Sequence, residues 1–347
     1  MCIWTAWTGP GEEAGRVVHR MLRRSYGVWG GFFTGLVSND GGRLITGRTA
    51  GDIGVWESQF DPADFRGRIA IFHSRTPSAD DSAWAHPFGT KIVQLAEQGN
   101  YGCFTHAVQD CSALAAELVE AGYDFPTATT RHPEVVNQVK LPDGRAVHSD
   151  EVFAFAADRI YRAEHDPFAA MRGGLGRVPC EAVNICMFAD RPDCIYVANV
   201  NQRVAIAHEN GGTALSTTRL SFDDPAAGDI TELPCNTIAE FCTDGSCRME
   251  TFVPGLQINR AVPAGFSEQA SAWWRGKKAT QIGTYWEDFI CTFWPQAPGA
   301  APDTRAIMAY HVLEELVMSG KLIMENIEAR GDFAPEHCSH AVFTWRG

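Results

Sequence analysis

The chain predicts an α+β fold in which stacked sheets lie between helical layers. Three observations carry this: an amphipathic helix near the start, two further helices before residue 165, and a run of strands between turn signals from Ala182 to Phe252.

The first helix is expected from Glu12 to Ser25, because Ala14, Val17, Val18, Met21 and Leu22 recur at i, i+3, i+4, i+7 and i+8. Arg16, Arg20, Arg23 and Arg24 fall mostly on its other faces, where water solvates them. Phe32 to Ser38 and the residues from Leu44 read as strands around an Asn39-Asp40-Gly41-Gly42 turn, a hairpin signal. Arg68-Ile69-Ala70-Ile71-Phe72-His73 is a short buried strand. A second helix follows Asp110, with Cys111, Leu114, Ala115, Leu118 and Val119 as its apolar stripe and Gly122 as its stop. A third runs from Ser149 to about Arg162, with Glu151 and Asp158 expected on its solvated side. Asp190-Arg191-Pro192-Asp193, Glu209-Asn210-Gly211-Gly212 and Thr243-Asp244-Gly245 mark turns between the later strands.

Beyond Pro254-Gly255 the character changes. Trp273, Trp274, Trp286 and Trp294 cluster there, and such residues belong to a core or an interface. A Pro/Ala stretch from Pro295 to Pro302 precedes a helix from about Asp303, whose buried face holds Ala309, Val312, Leu313, Leu316 and Val317, with Gly320 ending it. Leu322-Ile323-Met324 starts a strand. An appended α/β unit and a partner-docking helix both fit this tail.

With 42 acidic against 29 basic residues the net charge is −13, which argues against a nucleic-acid surface and for small-molecule or protein partners. No apolar run reaches the roughly 20 residues of a membrane span, and the start lacks the basic and apolar regions of a signal peptide, so the expected location is cytoplasmic. The eleven cysteines contain no C-x-x-C pair and no Cys/His cluster with ligand spacing. All but Cys2 are read as structural thiols, kept reduced, and neither metal nor cofactor is expected.

Cys2 stands apart because Met1-Cys2-Ile3-Trp4-Thr5 reads as a strand that delivers a thiol to a site. Once Met1 is removed, Cys2 carries a nucleophile with a free pKa of about 8.5 and an α-amine of about 7.7–8.0 that can serve as its base. Downstream stand His73-Ser74-Arg75-Thr76-Pro77-Ser78 and Ala85-His86-Pro87-Phe88. In these segments the chain resembles the class II glutamine amidotransferases, the N-terminal-cysteine branch of the N-terminal nucleophile hydrolases. The resemblance implies a four-layer αββα sandwich as the α+β fold, a domain over residues 2–253, and a small C-terminal extension over 254–347. It implies that Cys2 attacks a glutamine side-chain amide through a thioester, that Arg75 holds the substrate carboxylate, and that Thr76 and Ser78 contact the substrate. His73, His86 and Pro87 match residues that shape the same loop. Cys194-Ile195-Tyr196-Val197-Ala198-Asn199, Ala214-Leu215-Ser216 and Ile238-Ala239-Glu240-Phe241 resemble the family's later strands.

Two segments depart from the family pattern. Thr105 and His106 stand where the family has the Asn and Gly of its oxyanion hole, and Thr130 stands where it has the Asp that binds the substrate α-ammonium. The reading is therefore a glutamine amidotransferase-like enzyme, with Cys2, Thr105 and His106 catalytic and Arg75, Thr76, Ser78 and Thr130 around the substrate. Ammonia would pass to a separate synthase subunit, and a homo-oligomer remains open. The alternatives are an amide hydrolase of the same fold with a different substrate, or a non-catalytic interaction module.

Overall fold

A computed structural model describes residues 2–76, 82–99, 111–130, 138–177, 180–252, 258–295, 301–330 and 335–347. Strand β1 (Ile3–Thr8) leads into helix α1 (Ala14–Ser25). The hairpin β2 (Phe33–Asp40) and β3 (Arg43–Ala50), helix α2 (Ile53–Gln59) and β4 (Ile69–Arg75) follow. Next come β5 (Phe88–Gly89), β6 (Val93–Gly99), α3 (Ser112–Glu120), the small hairpin β7 (Gln138–Lys140) and β8 (Ala146–His148), and the paired helices α4 (Ser149–Glu164) and α5 (Pro167–Arg177). Strands β9 (Ala182–Phe188), β10 (Cys194–Asn199), β11 (Ala205–Glu209), β12 (Gly212–Ser216), β13 (Thr231–Glu232), β14 (Thr237–Cys242) and β15 (Cys247–Thr251) form the predicted strand run. The tail holds α6 (Phe266–Trp274), β16 (Thr280–Gln281), and α7 (Ile282–Thr284), which continues through a π-helical turn (Tyr285–Ile290) into α8 (Cys291–Phe293). Helix α9 (Arg305–Met318), β17 (Leu322–Ala329) and β18 (Cys338–Trp345) complete it.

Two sheets stack. One has the order β13-β11-β12-β1-β4-β2-β3 and the other β15-β14-β10-β9-β6-β5. Trp4, Ala6, Val37, Ile69 and Ile71 of the first sheet meet Ala96, Val183, Ile185, Val197 and Phe241 of the second in a buried layer. The outer face of the second sheet packs on α3, α4 and α5 through Leu114, Phe153, Ala157, Met171 and Leu175. The outer face of the first packs on α1 and on the tail, where Ile3, Val18, Leu36 and Phe72 share one core with Trp274, Tyr285 and Leu313. This is the αββα sandwich expected from the sequence, with the tail as an α/β unit against the α1 side.

Several expectations need correction. Helices α2 and α5 do not announce themselves by periodicity. In α5 the glycines let it press on α4: a Cβ at Gly173 would lie 1.8 Å from Ile160 Cδ1. Val119 is exposed at 39% rather than part of the α3 stripe, since that short helix buries only Leu114, Ala115 and Leu118. Glu151 and Asp158 are buried, not solvated. Asp158 accepts hydrogen bonds from Tyr123 Oη (2.7 Å), Thr90 Oγ1 (2.5 Å) and Arg162 Nε (2.6 Å), which satisfy its charge inside the helical layer. The cysteines are not all free: Cys194 and Cys242 form a disulfide, because β10 and β14 place them directly opposite with Cα atoms 4.2 Å apart. Trp274, Trp286 and Trp294 are core residues.

Candidate active site around Cys2

Strand β1 pairs antiparallel with β4, Ile3 opposite Ser74 and Trp4 opposite His73, so the start of β1 lies beside the end of β4. Cys2 and Arg75 meet there. On the other flank β1 pairs with β12, and Trp4 N–H donates to Thr217 Oγ1 (3.3 Å) while Thr217 N–H donates to Trp4 O (3.3 Å). Thr217 Oγ1 in turn donates to Gln98 Oε1 (2.7 Å) at the end of β6, which ties the two sheets together just beneath the cysteine.

Cys2 is buried, with 6% of its surface exposed. Burial pushes its thiol up and the Asp150 charge adds to that; the N-terminal ammonium, the Arg75 guanidinium and a hydrogen bond from the Thr76 backbone N–H offset only part of the rise. Arg75 is the neighbouring side chain that favours the thiolate, which a cysteine nucleophile needs.

Arg75 is itself buried. Its Nη1 donates to Trp84 O (3.0 Å), and its guanidinium carbon lies 5.9 Å from the Phe33 ring centroid and 5.6 Å from that of Trp84. These rings and the carbonyl fix the fork in place, as recognition of a planar carboxylate demands.

Near Arg75 lies a buried polar cluster, of which the motif had marked His73 and His86 but not His148 and Asp150. His73 stacks on His86 with centroids 4.0 Å apart. His86 Nδ1 accepts from Glu97 N–H (3.2 Å), which makes Nε2 its protonated nitrogen, and Nε2 faces Asp150 Oδ2 at 3.1 Å. His148 N-caps α4 by accepting Asp150 N–H at Nδ1 (3.1 Å), and Asp150 Oδ1 accepts from Ser149 Oγ (2.8 Å). Burial holds His73, His86 and His148 below the usual imidazole range, His148 at about 4, so all three are neutral near pH 7. The flanking histidines hold the Asp150 carboxyl well below its ordinary value, against the opposing effect of burial. His86, His148 and Asp150 have the composition of a metal site. Their ring Nδ1 lone pairs, however, already accept backbone N–H groups, and the Nε2–H of His86 is directed at the carboxylate. The available sequence signal was Val147-His148-Ser149-Asp150-Glu151 at a helix start.

The other predicted site residues divide. Cys2, Arg75 and Thr76 are brought together. Thr130 is exposed, next to the bridge between Thr129 and Ala146. Ser78, Thr105 and His106 lie outside the described residues.

A second buried cluster lies where the sheets cross over. Glu181 is bonded by Asn201 Nδ2, which also donates to Asp303 O (2.8 Å), and Asp303 pairs with Arg305. Burial, against the Asn201 hydrogen bond, raises the Glu181 carboxyl to about 8. A carboxyl raised in the folded state contributes its stability below its unfolded pKa, and that contribution is lost as pH rises through the folded value. Wild-type stability is therefore expected to fall between pH about 4.5 and about 8 by on the order of a few kcal/mol from this group. Glu181→Gln should flatten that limb, and melting temperatures at pH 5 and pH 9 test it.

No protein-family model matches the chain, and no curated protein matches it either. Solved structures do. The structure of glutamine phosphoribosylpyrophosphate (PRPP) amidotransferase from B. subtilis, complexed with ADP and GMP, superposes with a TM-score of 0.58 at 16% identity, covering 94% of this chain and 66% of that one. A structure of the allosteric regulatory enzyme of purine biosynthesis gives 0.58 at 15% identity, over 97% of this chain and 68% of that one. The chain thus spans about two thirds of the length of each of these structures. The chain thus shares the fold of these amidotransferase structures. Within this chain that fold carries Cys2 at the head of β1 and Arg75 at the end of β4, beside each other. No helix among the described residues is long and apolar enough to cross a membrane.

Proposed function

We propose that residues 2–253 hydrolyse a side-chain carboxamide, glutamine in the first place, through a Cys2 thioester, and that the ammonia passes to a separate synthase. The observation that carries this is the buried Cys2 thiol beside the buried Arg75 fork. After removal of Met1, the α-amine takes the thiol proton and the thiolate attacks the amide carbon. The C–N bond breaks, the amine nitrogen leaves as ammonia with that proton, and water then splits the thioester to the acid and the free thiol. The extension over 254–347 packs on the catalytic sandwich and is the part that distinguishes this chain from a bare amidohydrolase.

A second reading, an amide hydrolase for a substrate without an α-ammonium, is favoured by Asp150. Its charge acts on Cys2, but its oxygens are engaged by His86 and Ser149. Ammonia release separates the two. The first reading expects release from glutamine, with Arg75→Ala raising KM by roughly 10²-fold, as loss of a charged hydrogen-bond partner implies, and with a smaller fall in kcat because its charge also favours the Cys2 thiolate. Release from simple amides, with none from glutamine, selects the second.

A further inference from the structure

Besides pairing with β17 and β16, strand β18 of the extension runs along the loop between α1 and β2, residues 26–32. Ser339 N–H donates to Gly31 O (3.0 Å) and Ala341 N–H to Gly27 O (2.7 Å). Ser339 Oγ donates to Asp52 Oδ2 (2.9 Å), and Asp52 N–H donates to His337 O (3.0 Å), so the start of β18 is gripped from two sides. Glycine permits this approach: Gly31 has a φ of 96°, and a Cβ there would lie 1.6 Å from Ser339 O. The same loop holds the end of β4. Gly31 N–H donates to Ser74 Oγ (2.7 Å), and Phe32 N–H donates to Arg75 O (3.1 Å). Phe33, next in the chain, supplies one of the two rings beside the Arg75 guanidinium. Gly31 thus gives its carbonyl to the extension and its N–H to the neighbour of Arg75. Ser339, Gly31 and Ser74 are all buried, so water is no ready substitute for either bond.

We propose that Ser339 is a positioning residue supplied by the C-terminal extension: through Gly31 it fixes the end of β4, and so the place at which Arg75 presents its guanidinium to the substrate. The proposal rests on the reading above, in which Arg75 holds the substrate carboxylate. A bidentate ion pair tolerates little error in direction, and a displacement of about 1 Å at such a clamp costs on the order of 10²-fold in rate. The tip of Arg75 is braced by the Trp84 carbonyl and by the Phe33 and Trp84 rings. Its backbone carbonyl is braced by Phe32, whose own carbonyl accepts from Gly51 N–H (2.7 Å), next to Asp52. Ser339 closes this circuit from the extension, since it holds Gly31 with its N–H and Asp52 with its hydroxyl. The extension therefore shapes the substrate site in cis, by setting the loop on which the end of β4 rests.

The test compares Ser339→Pro with the wild type and with Phe343→Leu, each in the full chain. Ser339→Pro removes the N–H that Gly31 accepts; that N–H is directed away from β17, so the β17–β18 ladder keeps its bonds. Phe343→Leu loosens the same strand through its buried ring but leaves Gly31 its partner. Two quantities are measured: the rate at which phenylglyoxal modifies Arg75, mapped by peptide mass, and the kcat and KM for glutamine. In Ser339→Pro, Arg75 should react roughly 10-fold faster and KM should rise roughly 10-fold with a smaller fall in kcat, while Phe343→Leu changes neither. An unchanged rate at Arg75 in folded Ser339→Pro overturns the proposal, as does an equal change in Phe343→Leu. Should Ser339→Pro fail to fold, Ser74→Ala cuts the same line by removing the acceptor of Gly31 N–H; an unchanged rate there overturns it equally. The phenylglyoxal rate needs no turnover. A faster rate in protein that releases no ammonia from any amide therefore supports the role of Ser339 and removes the amidohydrolase reading instead.

Discussion

Replacing Cys2 with alanine is expected to abolish ammonia release from glutamine, by on the order of 10⁴–10⁶ in kcat, because the bond-forming atom and the positioning of its base go together. The same substitution should leave the melting temperature nearly unchanged. Cys2 is small and sits at the very start of β1, so its removal leaves the β1–β4 ladder from Ile3 to Thr8 intact. A glutamine-like diazoketone should add once, at Cys2, to wild-type protein from which Met1 has been cleaved, and not at all to Cys2→Ala. Seven other free cysteines lie among the described residues, so the adduct must be mapped to its peptide. Addition elsewhere, or full turnover by Cys2→Ala, would remove the thioester mechanism. Arg75→Ala makes a useful contrast, since it should act chiefly on KM while Cys2→Ala acts on kcat.

The largest expected effect on stability comes from Asp150→Ala, about 3–5 kcal/mol, read as a lower denaturant midpoint at constant slope. Asp150 is 2% exposed, and its carboxylate is the partner of His86 and Ser149, with His148 beside it. Deleting it leaves an Nε2–H and a hydroxyl buried without acceptors and opens a void between β8 and the first turn of α4. A depressed carboxyl contributes stability above its unfolded pKa and loses it only as pH falls through the folded value, so the full benefit is present at pH 7. The three histidines act in the same sense. Each is held neutral when folded, so stability is lost as pH falls from about 6.5, where the unfolded chain takes up protons, down to the folded values, about 4 for His148. The histidine cluster therefore contributes a weakening between pH 7 and pH 4, opposite in sign to the Glu181 limb, and is read in the Glu181→Gln background. In Glu181→Gln, a profile that does not weaken across that range would contradict the neutral, buried state of this cluster.

How far the sequence carries depends on how local the information is. Helix α1 was legible almost to the residue, because an apolar stripe at helical spacing against four arginines has one solution. The turn at Asn39 to Gly42 and the buried strand ending in His73-Ser74-Arg75 were legible for the same reason. The strand run from Ala182 to Thr251 could be read from its turns, and that Cys2 and Arg75 lie side by side agrees with the motif that singled them out. The Gly-rich helix α5 could not, since its stability comes from packing on α4 rather than from its own residues.

What the sequence determined by itself, then, was the alternation of strands and helices, which follows from periodicity and residue type; the candidate roles of Cys2 and Arg75 came from a resemblance of motifs. Only the tertiary structure decided that Glu151 and Asp158 turn inward to meet Thr127 and Tyr123, that Cys194 faces Cys242, and that His86 shares Asp150 with a helix cap. It alone set Arg203 against Glu314, 111 residues away, which holds α9 of the tail against the sandwich. Such pairings join side chains far apart in the chain. Their free energy comes from shared burial and the satisfaction of charges in a low-dielectric interior, and no local pattern records which distant partner will supply it.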